Sequence, residues 1–179
     1  MKAKKVATYG ILIALAMVFS YLESLFPLTI AVPGVKMGLA NTVTIFALYR
    51  LGLRDACFLS LIRVTLVAIL FGNIFSLAFS AVGATVSLAV MYPMSRSARC
   101  SQVTVSMAGG VAHNAGQIIV AIFVTGVHQI AWYFPILCLT GTAAGVGIGL
   151  VSALILRQTE HLVFSVRFSY LSPALRPEN

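Results

Sequence analysis

Arg63, His113, Asn114 and Gln117 are the side chains in this sequence best suited to binding chemistry, because each lies within a long run of apolar residues. An ionisable or strongly polar group at membrane depth is costly, so by default it faces a protein interior or a cavity and marks function. His113 and Gln117 stand four residues apart and share one face of a helix, with Asn114 beside them. A guanidinium, an imidazole and two amides would hold an anionic or strongly polar ligand, and the apolar surroundings suit one with some hydrophobic body. Catalysis has less to draw on. The acids are Glu23, Asp55, Glu160 and Glu178, too few and too scattered for a carboxylate pair or a hard-metal cage. Cys57, Cys100 and Cys138 lie far apart without a CxxC, which fits neither a disulfide framework nor a zinc site and predicts small core residues. His128 and His161 have no companion at metal-ligand spacing, and no metal or cofactor is expected. Gly145-Val146-Gly147-Ile148-Gly149 falls inside an apolar helix, so it is packing rather than a nucleotide loop.

The elements that carry these residues follow from composition. Of 179 residues, 60% are hydrophobic and 9% charged, and the mean hydropathy is +1.00; a soluble domain carries about a quarter charged residues. The expectation is an all-α integral membrane protein of the cell membrane, in a bacterium the plasma membrane, with one membrane domain over residues 1–179. Helices are predicted at about 6–26, 38–52, 55–72, 74–94, 103–125 and 130–156, followed by a cytoplasmic tail at 157–179. The basic start resembles a signal peptide, but its apolar run is too long and lacks a small-residue cleavage site, so it is expected to stay as the first helix. Residues 56–94 would span about 58 Å as one helix, nearly two bilayer cores, and Gly72-Asn73 is the natural break.

Charge distribution tests this layout. With both termini in the cytoplasm, Lys2, Lys4, Lys5, Arg50, Arg54, Arg96, Arg99, Arg157, Arg167 and Arg176 fall inside and Lys36 alone falls outside. The net charge of +8 is therefore explained by orientation and contact with anionic lipid, and no basic stripe suggests nucleic acid.

Depth arithmetic places Arg63 about 12 Å and His113 about 15 Å into the membrane, both near its middle. Gln117 lies one turn outward, and Asn73, Glu23 and Lys36 lie toward the outer end. The polar groups thus trend outward, which predicts an outward-facing pocket walled by helices 3 to 5. Arg63, His113, Asn114 and Gln117 would hold the ligand, with Asn73, Asn41 and Lys36 at the mouth. The Pro33-Gly34 segment before the short second helix would be its lid. Small residues at four-residue spacing, Gly141/Gly145/Gly149/Ala153 on helix 6 and Ala108/Ala112/Gly116 on helix 5, predict packing faces. Ala3/Ala7 and Gly10/Ala14 on helix 1 could equally pack internally or dock a partner subunit. Trp132, Tyr133 and Tyr21 fit an aromatic belt.

The stretches Gly34-Val35-Lys36-Met37-Gly38-Leu39-Ala40-Asn41, Ala47-Leu48-Tyr49-Arg50-Leu51-Gly52, Arg63 with Gly72-Asn73, and His113-Asn114-Ala115-Gly116-Gln117 give the chain a family resemblance over roughly residues 5–160. It resembles the Gx transporter family, also labelled heptaprenyl diphosphate synthase component I, and is similar to the substrate-binding S components of energy-coupling factor transporters. The resemblance implies a six-helix protein that captures a small molecule from outside and docks on a membrane coupling subunit with an ATPase pair. It also implies that Ala3/Ala7, and more loosely Gly10/Ala14, form the docking face. The synthase label fits the residues less well, since Asp55 is the sole aspartate and prenyl chain elongation uses aspartate-rich motifs. A noncatalytic membrane partner of a polyprenyl diphosphate synthase, or of a quinone- or flavin-linked redox complex, is the alternative.

Overall fold

In a computed structural model, residues 2–25 and 41–158 are described. They form six α-helices and one 3-10 helix: α1 (Lys2–Leu25), α2 (Asn41–Arg50), α3 (Leu53–Phe71), α4 (Ile74–Arg96), α5 (Gln102–Thr125), η1 (His128–Tyr133) and α6 (Phe134–Gln158). The predicted Pro33-Gly34 lid and the tail lie outside the described residues, except that α6 extends to Gln158. Four helical segments are long and apolar enough to cross a bilayer: Lys5–Leu22, Ile74–Arg96, Gln102–Thr125 and His128–Arg157. The 19-residue α3 has the length but carries Arg54, Asp55 and Arg63. The ten-residue α2 is only about 15 Å long, half a bilayer core.

Local chemistry explains the boundaries. Leu51 and Gly52 both donate their N–H groups to the Ala47 carbonyl, at 2.8 and 3.0 Å, and close α2. Gly52 then turns directly into α3 at φ 101°, a left-handed conformation that glycine adopts without a Cβ penalty. The predicted break at Gly72-Asn73 is present. Asn73 is extended, and its side chain accepts from the Ser76 N–H at 2.9 Å as the N-cap of α4. Asn73→Ala is expected to cost about 1 kcal/mol, seen as a lowered melting temperature in detergent. Ser101 caps α5 in the same way through Thr104 N–H at 3.1 Å, and Gly126 ends it in the left-handed conformation at φ 69°. The sixth helix starts later than expected. Residues 128–133 wind as a 3-10 turn, and α6 proper opens at Phe134 with Pro135 in its first turn, where the missing N–H costs nothing.

The long helices α4, α5 and α6 make the most extensive packing, with α5 in the middle. Backbones meet at glycines. A Cβ on Gly145 would lie 2.5 Å from Met107 Cα, and one on Gly149 would lie 2.7 Å from Val103 Cα, so α6 runs antiparallel along α5 as the Gly141/Gly145/Gly149 row predicted. The expected Ala108/Ala112/Gly116 row also packs, through Gly116, but on α4 rather than on this row of α6. Gly110, Met107 and Val103 face α6, whereas Gly109 and Gly116 face α4, where Gly116 abuts Gly83. A helix packed between two neighbours needs two small-residue faces, and a single four-residue row traces only one.

The other half of the bundle holds α1, α2 and α3. On α3 the buried residues Ala56, Leu59, Ser60, Arg63, Val64 and Val67 form one stripe at helical spacing, with Cys57, Leu61, Thr65 and Ile69 on the opposite side. The α2 helix is buried on nearly every side. By contrast, among its described side chains α1 buries only Leu12, Ala16 and Ser20 and leaves Ala3, Ala7, Gly10 and Ala14 exposed. Lys5 at its start pairs with Asp55 at the start of α3, at 3.2 Å, which puts these two ends at one side of the bundle. Of the cysteines expected in the core, Cys100 is half-buried and packs against it, whereas Cys57 is exposed and Cys138 is only half-buried. In lipid the outer surface of a helix is as apolar as its inner one, so residue type alone does not assign a thiol to the core.

Candidate functional site

The stripe on α3 decides where Arg63 points. It is 7% exposed, on the same face as Ala56, Leu59 and Val67, so the guanidinium is enclosed by the bundle. Its Nη2 donates to Oδ1 of Asn41, the first residue of α2, at 3.4 Å, longer than an ordinary bond of this kind. Asn41 is itself buried, and Ser60 lies one turn before Arg63 with a buried hydroxyl that has no hydrogen-bond partner among the described residues. One polar group thus sits at the α2–α3 contact.

A second group lies on α5. His113, Asn114 and Gln117 are all buried, the first two toward a neighbouring helix for a definable reason. The His113 ring rests against Gly83 of α4, where an added Cβ would meet three ring atoms at 2.9 to 3.1 Å. Any side chain at Gly83 would displace the imidazole. Asn114 donates from Nδ2 to the Leu137 carbonyl of α6 at 2.7 Å and ties the two helices together. Asn114→Leu is expected to remove that tie at a cost of about 1 to 2 kcal/mol, measured by thermal unfolding. Gln117 is different. It is 2% exposed, and neither Nε2 nor Oε1 has a hydrogen-bond partner among the described residues. A buried polar group left unmet costs about 1 to 3 kcal/mol, so the carboxamide is held at the expense of stability.

Of the residues expected to bind, the structure joins Arg63 to Asn41 and places His113, Asn114 and Gln117 on one helix. Asn73 stands apart as an exposed helix cap, and Lys36 lies outside the described residues. Ser60, Gly83 and Ser87 were not foreseen. Ser87 donates to the Gly109 carbonyl at 2.9 Å and, with Gly83 and Ala84, forms a small-residue face on α4. The signal for that face was present in the sequence as Gly83 and Ser87 at four-residue spacing. Trp132, Tyr133 and Tyr21 are exposed, as an aromatic belt requires.

Among the described residues no cluster of histidine, cysteine or acidic side chains could hold a metal ion. The arrangement offers hydrogen bonds and positive charge within an apolar bundle, which suits binding. A family model described as heptaprenyl diphosphate synthase component I matches residues 12–155. No curated protein matches, and no solved structure does.

Proposed function

Since the chain belongs to the heptaprenyl diphosphate synthase component I family, we propose that it acts as a noncatalytic binding subunit in the membrane, of the kind that serves an energy-coupling factor transporter. In this reading it takes up a small polar or anionic molecule from outside, and ATP is hydrolysed on separate subunits. All six helices cross or enter the bilayer, with both termini in the cytoplasm. Arg63, Asn41, His113 and Gln117 contact the ligand, Asn114 fixes the α5–α6 wall, and Lys36 and Asn73 lie toward the mouth.

The observation that carries the proposal is the burial of a guanidinium, an imidazole and an unpartnered carboxamide inside an apolar bundle. Such groups are retained at membrane depth where they serve a ligand or pathway. The exposed small residues Ala3, Ala7, Gly10 and Ala14 give α1 a face on which a coupling subunit can pack closely. The family description supports a second reading, a membrane partner of a polyprenyl diphosphate synthase, in which Asp55 as sole aspartate leaves the chemistry to the other subunit.

Purification of the tagged protein from its native membranes in mild detergent, with mass spectrometry of the accompanying proteins, separates the two. A membrane coupling subunit with an ATPase pair is the expected result. A prenyl synthase or flavoprotein without ATPases would replace the transport reading with the partner reading.

A further inference from the structure

Gln117 specifies more about the ligand than its polarity. Its carboxamide holds an N–H donor and a carbonyl acceptor side by side in one plane, and both are buried without a partner among the described residues. The neighbouring polar groups on α5 are otherwise engaged: Asn114 is tied to the Leu137 carbonyl, and the His113 ring is seated on Gly83. An anion would answer the N–H but set its negative charge against the carbonyl oxygen. A second amide edge, with its C=O beside its own N–H, answers both through two parallel hydrogen bonds. Sites built around such a pair reject analogues that lack one member, because the site's own group is then left buried and unmet.

We propose that Gln117 recognises an amide or imide edge of its ligand, as carried by a carboxamide or a lactam-type heterocycle. This rests on the binding-subunit reading and narrows its ligand class. Arg63, on another helix, is then left to read a different part of the same molecule.

Nicotinamide and nicotinate are matched probes, since they share a ring and differ in carrying an amide or a carboxylate. Thermal unfolding of the purified full chain is measured with each at millimolar concentration, and with uracil as an imide. The amide and imide probes are expected to raise the melting temperature and nicotinate is not. In Gln117→Leu the apparent affinity for nicotinamide is expected to fall about tenfold or more. The wild-type comparison decides the matter even if that variant folds poorly. Stabilisation by nicotinate alone would overturn the amide assignment while leaving a binding subunit for anions. No shift with any of the three would also overturn it, leaving trapped water as the partner of Gln117, and the transport reading would still be judged by its accompanying ATPases.

Discussion

Gly145→Val is expected to separate α5 from α6 and to destabilise the protein by about 3 kcal/mol or more. The first added carbon would lie 2.5 Å from Met107 Cα, 2.8 Å from the Ser106 carbonyl oxygen and 2.9 Å from Met107 N. All three are backbone atoms of a helix, so no side chain can rotate away, and relief requires moving the whole helix. That movement would also open the contacts at Gly141 and Gly149, and with them the Asn114 bond to Leu137. Gly147, two residues on, is the control. A Cβ there meets nothing within 4 Å, so Gly147→Val is expected to change stability by no more than about 0.5 kcal/mol. Thermal unfolding in detergent measures both. Similar melting temperatures for the two variants would show that the antiparallel α5–α6 contact does not hold the bundle together.

On the binding-subunit reading, Arg63→Ala is expected to weaken ligand capture strongly while the protein still accumulates in the membrane. A hydrogen bond to a charged group is worth about 1.5 to 3 kcal/mol, so uptake affinity should fall roughly tenfold to a hundredfold. Arg63→Lys keeps the charge but loses the planar fork, so an intermediate value is expected. Uptake of the required solute by cells that depend on this protein gives the readout, normalised to protein level. Unchanged uptake in Arg63→Ala would remove Arg63 from the pocket. If changes at Ala7 or Gly10 then altered the set of accompanying proteins, an interaction role would take the place of solute capture.

Much of the layout was legible in the sequence because charge and turn chemistry are local. Gly72-Asn73 could be recognised as a break from the length of the apolar run on either side, and Asn73 indeed caps α4. The shortness of α2 followed from a run of apolar residues too brief to span. Less legible was where α6 begins, since the 3-10 turn at 128–133 is as apolar as the helix after it. Which neighbour each face of α5 meets was hidden for a different reason. Its sequence contains small residues at 108, 109, 110, 112 and 116, and several rows can be drawn through them. Only the neighbours select which glycines meet Gly83 and which meet Gly141.

The sequence by itself determined that this is a helical protein with segments apolar enough to cross a membrane and that Arg63, His113 and Gln117 are polar groups set within apolar runs. Those conclusions need only hydropathy and the cost of polar groups in lipid. The tertiary structure decided which helix face is inside. In water an apolar stripe would have marked it, but lipid is as apolar as the core, and Phe123 and Trp132 are 90% and 83% exposed in this bundle. It also separated polar residues of like appearance by their partners. Asn73 caps a helix, Asn114 ties α5 to α6, Asn41 accepts from Arg63, and Gln117 has both amide atoms unmet by the described residues. Hydrogen-bond satisfaction belongs to the packed helices together, so no single stretch of sequence could reveal it.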